Sequence, residues 1–131
     1  MALSIAQLAR AAGVSVETVR YYQRRGLLRD PRPSATPGAG IRHYDQQDLT
    51  TLRFILAGKD AGFTLAEIGR LQQLDRVDDR ATARALAAER VAAIDRDLAR
   101  LTAARARLSR LVDQCASGQG GTCPIIATLA G

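Results

Sequence analysis

The chain has 131 residues, a net charge of +6 and a hydrophobic content of 47%, with aromatics only 4%. That is one ordinary domain, or a small domain with a helical arm, and it excludes two large cores. No run approaches the roughly eighteen uninterrupted apolar residues of a membrane span, and MALSIAQLARAAG lacks the basic start and long apolar centre of a secretion signal. The expected location is cytoplasmic, where two cysteines are more often free thiols or metal ligands than a structural disulfide.

Alanine and leucine dominate the apolar residues, which favours helix over strand and predicts a mainly α fold. The charge is uneven. Residues 1–44 carry +5, residues 45–80 carry −2 and the remainder carries +3. An electropositive first third suits a surface that meets phosphate, although solubility alone also accounts for a charge of this size.

In SIAQLARAA, Ile5, Leu8 and Ala12 share one helical face; Gly13 breaks the pattern and Ser15 is placed to cap a second helix, VETVRYYQRRG. Helix, glycine turn and capped helix form a helix-turn-helix pattern, which by itself also occurs in proteins that never meet DNA. The second helix adds Thr18, Arg20, Tyr21, Arg24 and Arg25, donors suited to a major groove. RDPRPSATPGAG, residues 29–40, holds three of the four prolines and reads as a small hairpin, or wing, carrying Arg29, Arg32 and Arg42 toward phosphates or a minor groove.

DQQD at 45–48 caps a third helix that stops at Gly62, and TLAE at 64–67 is a capping box opening a fourth. The cluster Asp75, Asp78 and Asp79 marks its end. From 81 to 112 there is no glycine or proline, and Val91, Ile94, Leu98, Leu101, Leu108 and Val112 repeat in steps of three and four, with Arg105 in one slot. A stripe this narrow on so long a helix calls for a partner helix, and a second copy of the chain is the simplest one; the alternative is a helix folded back on the N-terminal domain. The expected divisions are 1–75, 81–113 and 114–131.

The segments SIAQLARAAGVSVETVRYYQRRGLL, IRHY, LRFI and DAGFTLAEI, followed by the long helix, resemble the MerR family of transcription regulators over essentially the whole chain; VRYYQRRGLL with R-x-Y after a wing is the specific part. The resemblance implies a homodimer with a winged helix-turn-helix domain, an antiparallel coiled coil and an effector element at its end. It implies double-stranded promoter DNA as partner, with an over-long spacer between the RNA polymerase contact elements, and activation by bending and untwisting that DNA. It places Ser15, Thr18, Arg20, Tyr21, Arg24, Arg42 and Tyr44 among the DNA contacts. Tyr22 and Phe63 are either contacts or core.

The only cysteines, Cys115 and Cys123, flank seven residues of which four are glycine or serine and none is charged. Two thiolates are too few for structural zinc and suit a soft ion that accepts linear coordination: copper(I), silver(I) or gold(I), with mercury(II) as the divalent case. Pro124 makes Cys123 the expected N-cap of IIATL, which lowers its pKa, and Ile125 and Ile126 are expected to make the surroundings apolar. C-x7-C followed by PII resembles the copper-responsive (CueR-like) branch of that family. Where family sensors of divalent ions carry a further cysteine and monovalent sensors a serine, this chain has Arg80. Competing readings are ordinary buried thiols, a disulfide, a thiol-redox switch on the same scaffold, and a ligand-free architectural protein or repressor. One histidine, no phosphate-binding glycine motif and no paired acids argue against an enzyme.

Overall fold

The computed structural model describes residues 2–31, 43–118 and 120–131. The expected wing is therefore represented only by its first residues, and Arg32 and Arg42 lie outside the described residues. The described residues form helices α1 (Ile5–Ala12), α2 (Val16–Arg24), α3 (Gln46–Asp60), α4 (Leu65–Arg76), α5 (Arg80–Ser117) and α6 (Pro124–Ala130). Strand-like pairing among them is limited to one antiparallel bridge, in which Leu3 and Tyr44 exchange N–H···O bonds of 2.7 and 2.8 Å.

Helix starts follow local chemistry. Ser4 and Gln7 form a reciprocal capping box at α1, Asp45 and Asp48 do so at α3, and Thr64 and Glu67 do so at α4. Ser15 accepts the Thr18 amide at α2. Gly13 ends α1 at φ 75°, a left-handed corner that glycine enters without penalty. Asp79 receives both the amide and the hydroxyl of Thr82, which starts α5 and holds the Asp79 carboxyl below its usual pKa.

The chain divides into two compact units, Met1–Arg84 and Ala85–Gly131, with the first turn of α5 in the N-terminal unit. In the first unit α1 packs on α2 and α3, and α3 on α4. Leu8, Val19, Tyr44, Leu52, Ile55 and Ile68 are sealed from solvent. Gly58 permits the α3–α4 contact, since a Cβ there would lie 2.9 Å from Ile68 Cγ1.

The second unit is built differently. The seam residues Val91, Ile94, Leu98, Leu101, Leu108 and Val112 are all exposed, and among the described residues only Leu111, outside the seam, is a buried hydrophobic. The helix also outruns the expected end at 113. Nothing in VDQCAS breaks it before Gly118, and the Ser117 hydroxyl turns back onto the carbonyls of Asp113 and Gln114. Cys115 consequently sits in the last helical turn and not in the loop.

Candidate DNA interface and thiol site

On α2, Ser15 caps the helix and its hydroxyl lies 3.0 Å from that of Thr18. Arg20 and Tyr21 are exposed, while Val19 and Tyr22 point into the core. Tyr22 is thereby settled as a core ring, stacked on Tyr21 at 5.6 Å, and Phe63 is partly buried against the same core. Arg24 pairs with Glu17 at 2.8 Å on the surface, and the Arg25 guanidinium stands 5.9 Å over the Tyr21 ring. Helical spacing thus aligns Arg20 with Arg24 and Tyr21 with Arg25.

Two expected contacts take other positions. Tyr44 is 1% exposed, and its hydroxyl accepts a 2.6 Å hydrogen bond from Gln23 Nε2. A buried phenol needs a partner for its polar end, and Gln23 supplies it, so Tyr44 is a core residue rather than a side chain presented to DNA. Arg29, expected on the wing as a phosphate contact, is instead gripped in bidentate fashion by the buried Asp48, at 3.0 and 2.5 Å. Burial pushes the Asp48 carboxyl up, but the Arg29 bond and the Asp45 amide outweigh it and leave the pKa below the ordinary value; Arg29 is raised in turn, chiefly by its bond to Asp48. The sequence carried no sign of Gln23, which also donates to the Arg29 carbonyl at 3.3 Å: an isolated glutamine has no periodicity.

At the other end of the chain the Cys115 and Cys123 sulfurs approach to 3.5 Å as free thiols. Gly120 and Gly121 turn the intervening loop through two successive left-handed residues, φ 78° and 89°, which explains the glycine pair. Cys123 is the N-cap of α6 with Pro124 following. The backbone amides of Ile126 and Ile125, together with the Cys115 thiol, favour its thiolate and lower its pKa, the Ile126 amide most, although neither amide closes to a conventional capping bond. Cys115 is raised, first because its hydrogen bond with Cys123 keeps the proton on it.

The surroundings are more open than expected. Cys115 is exposed and Ile126 is 66% exposed, so the pair is not enclosed by apolar side chains within this unit. A linear S–metal–S unit with bonds of about 2.3 Å separates its sulfurs by about 4.6 Å, whereas a disulfide needs about 2.05 Å. The observed spacing lies between the two, and a glycine loop lets it open by about 1 Å. Among the described residues no group of three or more His, Cys, Asp or Glu side chains is placed to hold a metal. Within one chain the described residues thus bring together two sulfur donors, where a zinc tetrahedron takes four ligands.

The chain matches the family model of the MerR HTH family regulatory protein over residues 3–75 and that of MerR, DNA binding, over residues 49–111. It belongs to the MerR family. Regulators of the MerR family bind promoter DNA as dimers. The mercuric resistance operon regulatory protein of Pseudomonas fluorescens is 39% identical over 130 residues, covering 98% of this chain and 88% of that one. The MerR-like fold extends to the solved lead(II) complex of the transcription regulator PbrR691 from Ralstonia metallidurans CH34 (30% identity, TM-score 0.68, 97% and 98% covered). It extends also to the mercury(II) complex of the dual-function regulator MerR from Bacillus megaterium MB1 (30% identity, TM-score 0.61, 98% and 100% covered). Among the described residues no helix is long and apolar enough to cross a membrane.

Proposed function

We propose that this protein is a metal-responsive transcriptional activator, a homodimer that holds promoter DNA through α2 and binds copper(I), silver(I) or gold(I) with Cys115 and Cys123. The observation that carries the reading is the pair of free sulfurs 3.5 Å apart, one of them made acidic by the start of α6. Two thiolates satisfy a d10 monovalent ion, and harder ions that require more ligands are handicapped. The relatives' mercury(II) and lead(II) ligands support a soft-metal site at the family level.

Switching requires the ion to bind one DNA-bound conformation better than another, because equal affinity shifts nothing. Cys115 lies in the last turn of α5 and Cys123 is the N-cap of α6, so widening the sulfur pair moves the end of one helix relative to the start of the next. The exposed seam of α5 supplies the surface on which a second copy passes that change on.

The test is in vitro transcription from a candidate long-spacer promoter with copper(I), silver(I), gold(I), mercury(II) and zinc(II) in turn. The reading expects response to the monovalent ions. Response to mercury(II) alone selects the alternative carried by the mercuric relative, and response to zinc(II) alone overturns the site. The short sulfur separation also favours a thiol-redox reading, in which mild oxidant without metal switches transcription and consumes two thiols.

A further inference from the structure

Between Val91 and Val112 the apolar seam of α5 has one charged member. Val91, Ile94, Leu98, Leu101, Leu108 and Val112 are exposed apolar side chains, and the slot between Leu101 and Leu108 holds Arg105. A guanidinium in the middle of such a row weakens an interface built on it unless an anion meets it there. Its own helix supplies none: three and four residues away on either side stand Leu101, Thr102, Leu108 and Ser109. Asp95, beside Ile94 at the edge of the seam, is equally isolated, with Val91, Ala92, Leu98 and Ala99 as its helical neighbours. Asp97 is the contrast, lying 3.9 Å from both Arg90 and Arg100 of its own helix. Among the described residues neither Arg105 nor Asp95 enters an ion pair within the chain. The two cannot serve one another inside one helix, because ten positions separate them by about 15 Å along its axis.

Two copies of α5 lying antiparallel bring them together. With Leu98 and Leu101 around a two-fold axis, Leu98 meets Leu101 of the second copy, Val91 meets its Leu108 and Ala87 meets its Val112. In that register Ile94 faces Arg105 of the second copy. The arginine stem covers the isoleucine, the guanidinium reaches the edge of the seam, and Asp95 stands there. Symmetry makes the contact twice. Other pairings place the charge badly. Sliding by one heptad in one direction sets the two Arg105 side chains beside each other at the axis. Sliding in the other sets Leu108 and Val112 against Arg84 and Arg80 of the second copy. A parallel pair in register puts Arg105 against its own copy.

We infer that Arg105 and Asp95 are the recognition code of the α5 seam: Arg105 of each chain pairs with Asp95 of a second copy, which fixes an antiparallel register and admits chains that carry the same pair. The inference rests on the homodimer of the proposed function and adds the residues that decide its register and its choice of partner. A polar residue in a heptad seam costs stability in the correct pairing and more in the wrong ones, and selection comes from that difference.

The experiment measures the dimer dissociation constant of the full chain by sedimentation equilibrium in reducing buffer, for Arg105→Asp, for Asp95→Arg and for the two combined. Each single change turns two attractive contacts per dimer into two repulsive ones and is expected to weaken the dimer on the order of tenfold. The combined variant keeps the parent's composition with the charges exchanged and is expected to return to within about threefold of the parent, a coupling that one helix cannot supply. Mixing the two single variants is the second readout. Each homodimer then carries like charges and the mixed dimer carries both restored pairs, so native mass spectrometry should find the mixed species in excess of a random distribution. Additive losses in the combined variant, or a random mixture, overturn the inference. Leu98→Asp keeps this distinct from the dimer itself: monomer from that variant with no coupling between Arg105 and Asp95 removes the code alone, whereas an intact dimer shows that the seam is not the interface and removes both.

Discussion

The N-terminal unit and the long helix with its thiol loop are made from similar residues and behave in opposite ways. The first folds its apolar side chains into one sealed cluster reaching from Leu8 on α1 to Ile68 on α4. The second leaves a row of valine, isoleucine and leucine in solvent along a helix about 57 Å long. The same hydrophobic chemistry is finished inside the unit in the first case and left exposed in the other. The difference gives the N-terminal unit a core of its own and leaves the apolar row of the second unit to be stabilised by whatever covers it.

The sharpest way to separate the two ends is to remove the thiols. Cys115→Ser with Cys123→Ser should abolish stoichiometric uptake of copper(I) under anaerobic reducing conditions, measured by equilibrium dialysis, and abolish induction while operator binding survives. Loss of operator binding would show that the two ends are not separable in this way.

Next in size are paired truncations. Leu52→Ala, in the sealed core, should cost about 2–5 kcal/mol of stability by denaturant titration. Leu98→Asp, on the exposed seam, should leave the helical content of the N-terminal unit in place but shift the protein to monomer by analytical ultracentrifugation. Equal losses of stability in the two variants would erase the contrast.

A smaller effect follows from Asp48. Its folded pKa is depressed below an unfolded value near 3.9, so the stabilisation is fully present above that value and fades as pH falls through the lower folded pKa. Asp48→Asn should flatten that acid limb and cost about 1–2 kcal/mol at neutral pH, discounted because Arg29 remains half in water. Urea titrations from about pH 2 to 7 read both quantities.

Chemistry at the thiols should show the asymmetry of the pair. Because Cys123 is lowered and Cys115 raised, iodoacetamide at neutral pH should label Cys123 first, and Cys115→Ala should slow that labelling by removing a hydrogen bond to the thiolate. Peptide mapping after brief exposure reads the order. The smallest effect is expected at Arg80, exposed at the first position of α5. If its charge offsets the net negative charge of two thiolates around a monovalent ion in the dimer, Arg80→Ala weakens the metal response severalfold and leaves DNA affinity alone; unchanged induction removes that role.

Much of this was legible in the residues because it is local. Ser4, Asp45 and Thr64 start their helices through side chains three residues away from their partners, and a capping box reads the same in any fold. The heptad seam and the proline after Cys123 likewise declare themselves within one or two turns. Long-range positions did not. Tyr44 reads as a wing residue beside Arg42, and it is buried because Gln23, twenty-one positions earlier, reaches its hydroxyl. Arg29 reads as a phosphate contact, and Asp48 on α3 takes its guanidinium instead. Arg25 at the end of α2 and Arg70 and Arg76 on α4 line one groove although their segments lie some forty-five residues apart, as the Gln72–Leu27 bond shows, and no pattern in either segment marks them as neighbours.

The sequence by itself determined the helical elements, their order, the apolar stripe on α5 and the presence of two thiols eight positions apart, because each depends on chemistry within a few residues of chain. Tertiary structure alone decided which polar side chains remain available for function: burial took Tyr44, an ion pair took Arg29, and the approach of α4 to α2 left Arg25, Arg70 and Arg76 around one groove. A side chain's availability is set by what packs against it, and that is a property of distant segments meeting in space.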